Sequence, residues 1–576
     1  MSYDLKDVKM PVLTGRALRA FAAALDGRVT GPALIRKLTT DAGVPRLAGL
    51  KDLPAPLFLP LAPAPEREAP EPAPERPRLR TRLLAVFRRP SPDTRSADPP
   101  PGPVPFRSAA DLTRAYREGR TTPEEVAARF LDAYADLNPK LHAFIAVNPD
   151  DVRQQAAASA MRWRRGEPLG PLDGVPVAVK DELDVAGYPT TVGTAFLNEV
   201  AKKDATAVAR LRAAGALIVG KANMHELGAN PTGHNPHHGH AKNPYDPARD
   251  TGGSSSGSAA AVASGLVPLA LGADAGGSIR VPAALTGVYG LKPTFGGVSE
   301  HGAYPICWSV AHVGPLGAGA ADVALAHRLI AGPDPADPHT FASPEPEDVD
   351  WGRDGLSGLR VGVWPAWFEH AEPEVVGTAR DALKRLEDAG AEVVEFELSG
   401  LDDVRIAHAV TVLSEMGRSF QRTMAHWREL APATRINLKI GLSAAAADYV
   451  AAQQVRARAV AELDGVLEKV DLIATPTTAI VAPPIPKAAE SDGISDLGTV
   501  TKLMRFIFLT NLTGHPSLSL PAGYTAAGLP VGLQLIGRAW GERTLLETAR
   551  VLERTTERRR PQAFVDLLAD GGRSDA

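Results

Sequence analysis

Between Asp250 and Pro282 the chain carries two glycine-rich, serine-bearing segments, GGSSSGS at 252–258 and GADAGGSIR at 272–280. In the second, Ser278 follows Gly276 and Gly277, so successive backbone N–H groups can face one point unobstructed by side chains. An oxyanion hole requires that concave arrangement, and glycine tolerates the backbone angles it demands. The first segment offers three hydroxyls, Ser254, Ser255 and Ser256, suited to holding or relaying a proton. Neither segment contains a base. Lys180 is the candidate, at the end of DGVPVAVK (173–180), which reads as a buried strand. Burial favours a neutral amine, and only a neutral amine accepts a proton. A lysine at a strand end is ordinarily a surface residue; combined with the two serine loops it completes a set of nucleophile, relay and base.

Competing constellations are weaker. GALIVGKA (215–222) approaches the phosphate-binding pattern GxxxxGK[ST], but Ala222 stands where a hydroxyl must meet the metal, and ALIV is itself a strand. His225, His234, His237, His238 and His240 have neither cysteine companions nor helical i, i+4 pairing, which favours a loop over the mouth of the site rather than a metal centre. No metal or other cofactor is expected. Cys307, the single cysteine, excludes an intrachain disulfide framework and reads as a small buried residue.

The surrounding elements read as an α/β protein. Residues 1–60 form an N-terminal helical extension with apolar positions at helical spacing, among them Leu13, Leu18, Phe21 and Leu25. Residues 61–105 hold 13 prolines and read as a linker or surface arm. Within it, RPRLRTRLLAVFRRP (76–90) is either a helix packed on its own domain or a basic amphipathic helix in weak contact with a membrane surface. From 106 to 576 strands and helices alternate. Thr122–Glu125 is a capping box, 205–214 a helix, 216–219 and 470–474 strands, 517–537 two strands joined by a turn, and 542–553 a closing helix. With 63 basic and 67 acidic residues, the net charge of −4 gives no reason to expect a nucleic-acid partner. The start of the chain lacks a signal-peptide pattern, so a soluble, cytoplasmic protein is expected.

These residues together resemble the amidase signature family. The likeness is carried by GGSSSGSAAAVA, GADAGGSIRVPA, KANMHELG (221–228), GLKPTFG (290–296), ATPTT (474–478) and GLPVGLQLIG (528–537). PVLTGRALRAF (11–21), NPHHG (235–239), DYVAAQ (448–453) and LMRFIFLTNLTGHPSLSLPAGY (503–524) are similar to the plant-type fatty acid amide hydrolases. The resemblance implies an α/β amidase signature fold: a large mixed, mostly parallel sheet flanked by helices on both faces. It implies a Ser-Ser-Lys triad in which Ser278 is the nucleophile and Ser254, behind a cis Gly253–Ser254 peptide, bridges it to Lys180. Amides of Ala275, Gly276, Gly277 and Ser278 would form the oxyanion hole, with Ser255, Asp274 and Arg280 in support. Ala273 departs from a frequent Thr, and Ser256 stands where Gly or Ser occurs.

The function implied is hydrolysis of amides with hydrophobic acyl groups, such as N-acylethanolamines or primary fatty amides, by a homodimer needing no cofactor. Activity should then rise toward alkaline pH as the lysine deprotonates. Residues 10–60 would roof an acyl channel, with Leu13, Leu18, Phe21, Gly228 and Ala229 as wall residues or as ordinary packing. The alternatives are a general or aryl amidase on short amides, or the amidase component of a glutamyl-tRNA amidotransferase. A non-catalytic scaffold is disfavoured by the intact set Lys180, Ser254 and Ser278.

Overall fold

A computed structural model describes residues 3–8, 10–63, 105–490 and 492–569. The basic segment 76–90 and nearly all of the proline-rich arm lie outside the described residues. In chain order the strands are β1 (Leu13–Thr14), β2 (Phe144–Ala146), β3 (Pro176–Lys180), β4 (Leu217–Ala222), β5 (Lys242–Asn243), β6 (Asp246–Asp250), β7 (Leu269–Ala273) and β8 (Tyr289–Lys292). They continue as β9 (Val313–Gly317), β10 (Arg360–Val363), β11 (Glu392–Glu395), β12 (Leu472–Pro476), β13 (Ile494–Ser495), β14 (Ser517–Tyr524) and β15 (Pro530–Gly537).

Eleven of these form one sheet in the order β11-β10-β12-β15-β14-β8-β9-β7-β3-β4-β2. The sheet is mixed, as expected, but the expectation that it is mostly parallel is corrected. The parallel neighbours are β10/β11, β10/β12, β3/β7 and β3/β4, and the other six pairs run antiparallel. The physical reason lies in the connections. Helical crossovers, such as Thr206–Ala213 between β3 and β4 and Pro373–Asp388 between β10 and β11, build two parallel blocks. Between the blocks, β8, β9, β14 and β15 pair antiparallel, and the short turn from Tyr524 to Pro530 joins the last two directly.

Hydrophobic periodicity explains where the cores sit. Val177, Val179, Ile218 and Leu271 of the first block pack with Phe130 and Val262 from helices. Leu472, Leu518, Leu533 and Leu535 of the second pack with Leu386 and Leu545. Each side chain of this kind contributes about 1.5–3 kcal/mol when fully buried. Thr122 and Glu125 make the reciprocal capping box at the start of the helix Pro123–Leu141. The N-terminal extension consists of helices Gly15–Asp26, Thr30–Asp41 and Val44–Ala48. Leu18, Ala22 and Leu25 of the first are buried against Ala433 and Ile436, and β1 pairs with β13. Among the described residues no helix is long and apolar enough to cross a membrane.

Candidate active site

Lys180 is the last residue of β3 and is 1% exposed. Its Nζ donates to Ser254 Oγ at 2.9 Å and to the Ala273 carbonyl at 3.1 Å, and lies 2.6 Å from Glu182 Oε2. Three acceptors match the three donors an ammonium carries. The Gly253–Ser254 peptide is cis. Just beyond it begins the helix Ser256–Ala263, buried along its whole length. Its small residues have a steric cause: a Cβ on Gly257 would sit 2.1 Å from the Ala143 carbonyl oxygen and 2.3 Å from the Asn223 amide nitrogen. Close packing of this helix on the ends of β2 and β4 holds the first serine loop against Lys180.

The second loop is organised by Asp274. Its carboxylate accepts from the amides of Gly277 (2.8 Å) and Ile279 (3.1 Å), from Arg280 Nε and Nη2 (both 3.0 Å), and from Asn511 Nδ2 (2.8 Å). Burial would raise this carboxyl group, but the Arg280 charge and the hydrogen bonds from Arg280 and Asn511 outweigh it and hold it well below the usual carboxylate range. Arg280 is in turn fixed by Thr510 Oγ1 (2.6 Å), Gln534 Oε1 (2.7 Å) and Asn511 Oδ1 (2.6 Å). Ser255 Oγ donates to the Ala273 carbonyl at 3.3 Å, and the Ser255 amide donates to the Ser278 carbonyl at 3.1 Å, tying the two loops together.

Carbonyl directions set the amide directions. In a planar trans peptide the C=O and the following N–H point oppositely. The Asp274 carbonyl accepts from Asn511 Nδ2 (3.0 Å), that of Ala275 from His408 Nε2 (2.8 Å), and that of Gly277 from the Val281 amide (2.7 Å). The N–H groups of Ala275, Gly276 and Ser278 therefore face away from these anchors, and among the described residues nothing accepts from them. Gly277 is the exception to the expected four-amide hole, because its N–H is committed to Asp274. Its φ of +94° is one that glycine adopts freely, and a Cβ there would lie 2.6 Å from Ile507 Cγ2.

These groups open onto a cavity of about 210 Å³. Lys180, Glu182, Ser254, Ala275, Gly276 and Ser278 form its polar floor. Its walls come from two helical regions, with Val412, Leu413 and Met416 on Leu401–Ser419 and Val500, Met504 and Phe508 on 497–508. Gly228 and Ala229 line it, beside Ile306 and Cys307. Leu13, Leu18 and Phe21 do not. They belong to the small core between the first helix and Pro432–Gly441, so the extension packs behind a neighbouring helix rather than roofing the cavity. Burial lowers His408 to about 4, leaving it neutral where it meets Ala275. Burial first, then the charges of Glu415, Glu182 and Glu300, pushes the Cys307 thiol well up.

The histidine-rich loop contributes no cavity wall through its histidines. His238 Nε2 lies 2.9 Å from the Thr194 carbonyl and His240 Nε2 2.9 Å from the Ala489 carbonyl, fastening the loop to the body, while His237 meets Glu226 of the same loop at 2.6 Å. Glu182, His408 and the apolar face of Leu401–Ser419 were not legible as site residues in the sequence. Asn511 and Thr510 were visible only inside the longer segment LMRFIFLTNLTGHPSLSLPAGY.

A family model described as Amidase matches residues 125–546. A fatty acid amide hydrolase of Oryza sativa subsp. indica is 36% identical over 605 residues, covering 98% of this chain and 96% of its own. A glutamyl-tRNA(Gln) amidotransferase component from Symbiobacterium thermophilum is 37% identical over 494 residues, covering 81% of this chain and 100% of its own. Among solved structures, a native peptide amidase from Stenotrophomonas maltophilia superposes with a TM-score of 0.68 at 32% identity, covering 79% of this chain and 98% of that one.

Proposed function

The chain belongs to the amidase family, and on that premise we propose that it hydrolyses amides whose acyl group is hydrophobic, with Ser278 as nucleophile. Neutral Lys180 takes the Ser254 hydroxyl proton while Ser254 takes that of Ser278, whose Oγ attacks the amide carbonyl. The amides of Ala275, Gly276 and Ser278 receive the developing oxyanion, and loss of one such donor typically costs on the order of 10²–10³ in rate. Ser254 then gives its proton to the departing nitrogen and is resupplied by Lys180. Water hydrolyses the acyl-enzyme through the same relay. Serine–lysine arrangements are a known variant of the Ser-His-Asp solution, so a histidine base is not required.

The observation that carries the substrate reading is the apolar wall above this floor, formed by Val412, Leu413, Met416, Val500, Met504 and Phe508. The relative named for fatty acid amides also aligns through the N-terminal segment, whereas the relative named for amidotransfer covers a smaller share of the chain. The homodimer expected from the resemblance is part of this proposal, and light scattering of the purified chain tests it.

A panel of primary amides graded from acetyl to long-chain acyl tests the substrate reading. The expected outcome is kcat/KM rising with acyl length, since each buried methylene contributes about 0.8 kcal/mol, or roughly fourfold. A preference for the shortest members would replace it with a general amidase.

A further inference from the structure

Lys180 must be neutral to work as a base, yet its Nζ faces a carboxylate that favours the ammonium. Glu182 is almost wholly buried, lines the same cavity, and brings Oε2 within 2.6 Å of Nζ. The relay scheme leaves this contact without a task. We propose that Glu182 is the proton store of Lys180: the ammonium passes one proton across this contact, and the lone pair so freed takes the Ser254 proton.

Every atom is accounted for. One Nζ–H bond breaks as Glu182 Oε2–H forms, giving an amine and a carboxylic acid from an ammonium and a carboxylate with no exchange with solvent. Nζ then gains the Ser254 proton, Ser254 Oγ gains that of Ser278, and the Ser278 Oγ electron pair forms the bond to carbon. The carbonyl π pair moves onto oxygen. On release of the amine the oxyanion pair re-forms the carbonyl as the C–N bond breaks, Ser254 gives its proton to the departing nitrogen, Nζ returns one to Ser254, and Glu182 returns its proton to Nζ. Glu182 thus acts through Lys180 and is a positioning residue for the proton.

Several further acidic groups crowd the pair. Around the pair stand Glu300 and Cys307 from the segment following β8, and Glu415 from the helix Leu401–Ser419, with Asp337 beyond Glu300. Arg405 and His408 line the same cavity. Arg405 is engaged by Asp402, and His408 is neutral. Burial, then the charges of Asp337, Glu182 and Glu415, pushes Glu300 well above the carboxylate range, so a protonated acid is already the favoured state at a neighbouring carboxyl group.

The inference rests on Lys180 as the base, and the sign of one shift separates it from its rivals. If the pair works by internal transfer, the active form persists until the pair takes up a second proton, and the acid limb of kcat/KM lies at low pH. Glu182→Gln then makes activity wait on loss of the lysine proton to solvent, moving that limb upward by about one pH unit or more. If Glu182 merely held the lysine charged, the same substitution would free the amine and move the limb downward. A downward shift or an unchanged profile overturns the proposal. Glu182→Asp, which keeps the carboxylate, is expected to return the limb toward that of the parent, and failure to do so also overturns it. Lys180→Ala controls for the premise: near-full activity in that variant would defeat the relay itself, and loss of activity with an unchanged Glu182→Gln profile would defeat only the proton store. Stoichiometric labelling of Ser278 by a fluorophosphonate at alkaline pH verifies that each glutamate variant is folded.

Discussion

Asp274 takes hydrogen bonds from the amides of Gly277, Ile279 and Arg280, from the Nε–Nη2 edge of the Arg280 guanidinium and from Asn511, all shielded from water. Asp274→Ala removes the centre of this network and strands a buried cation, a change that typically costs about 3–5 kcal/mol. Urea unfolding is expected to report that loss, together with loss of turnover as the loop amides lose their aim. The pH sense follows from its depressed folded-state value. The contribution is complete at neutral pH, above the unfolded carboxyl range, and is lost as pH falls below about 4 toward the folded value. The stability gap between parent and variant should therefore narrow in acid. At this scale the sequence was legible where residue type alone announces chemistry: glycines before Ser278, hydroxyls at 254–256, a lysine closing an apolar strand. Glu182 was not, being one of 67 acidic residues with nothing local to mark it. His408 was equally hidden, because a lone histidine on a helix face reads as ordinary packing until its carbonyl partner is seen.

Among the elements, the helix Ser256–Ala263 sets the site by how closely it approaches the sheet. Gly257→Ala would drive a methyl group into backbone atoms of Ala143 and Asn223 that have no rotamer by which to yield. A cost above the usual ~1–3 kcal/mol of overpacking is expected, read as lost soluble yield or a lowered thermal midpoint. Gly377→Ala is the matched comparison. It lies inside the helix Pro373–Asp388 with open space at its Cβ, and helix propensity predicts a gain of up to about 1 kcal/mol. The alternation of strand and helix was legible here too, and 542–553 matches the observed Glu542–Glu553. Strand direction was not. Periodicity reports that a segment is buried in a sheet, while direction depends on whether the connection crosses over or turns back, as between β14 and β15.

For the molecule as a whole, the N-terminal extension behaves as structure. Leu18 is fully buried against Ala433 and Ile436 and is absent from the cavity wall. Leu18→Ala should cost about 2–5 kcal/mol in unfolding while leaving the acyl-length preference unchanged. A shifted preference measured on the amide panel would return the extension to the substrate site. The resemblance across the chain suggested a roof; the amphipathic pattern alone could not say which neighbour the apolar face meets. One consequence follows from the cavity's double origin. Its reacting groups stand on β3 and the loops at 250–282, whereas most of its large apolar side chains come from chain beyond residue 400. Changing what the protein accepts and changing what it does to it are thus separate problems for evolution. A lineage can rewrite the helix faces at 405–416 and 497–508, one side chain at a time, and carry the same bond-breaking apparatus unaltered to new amides.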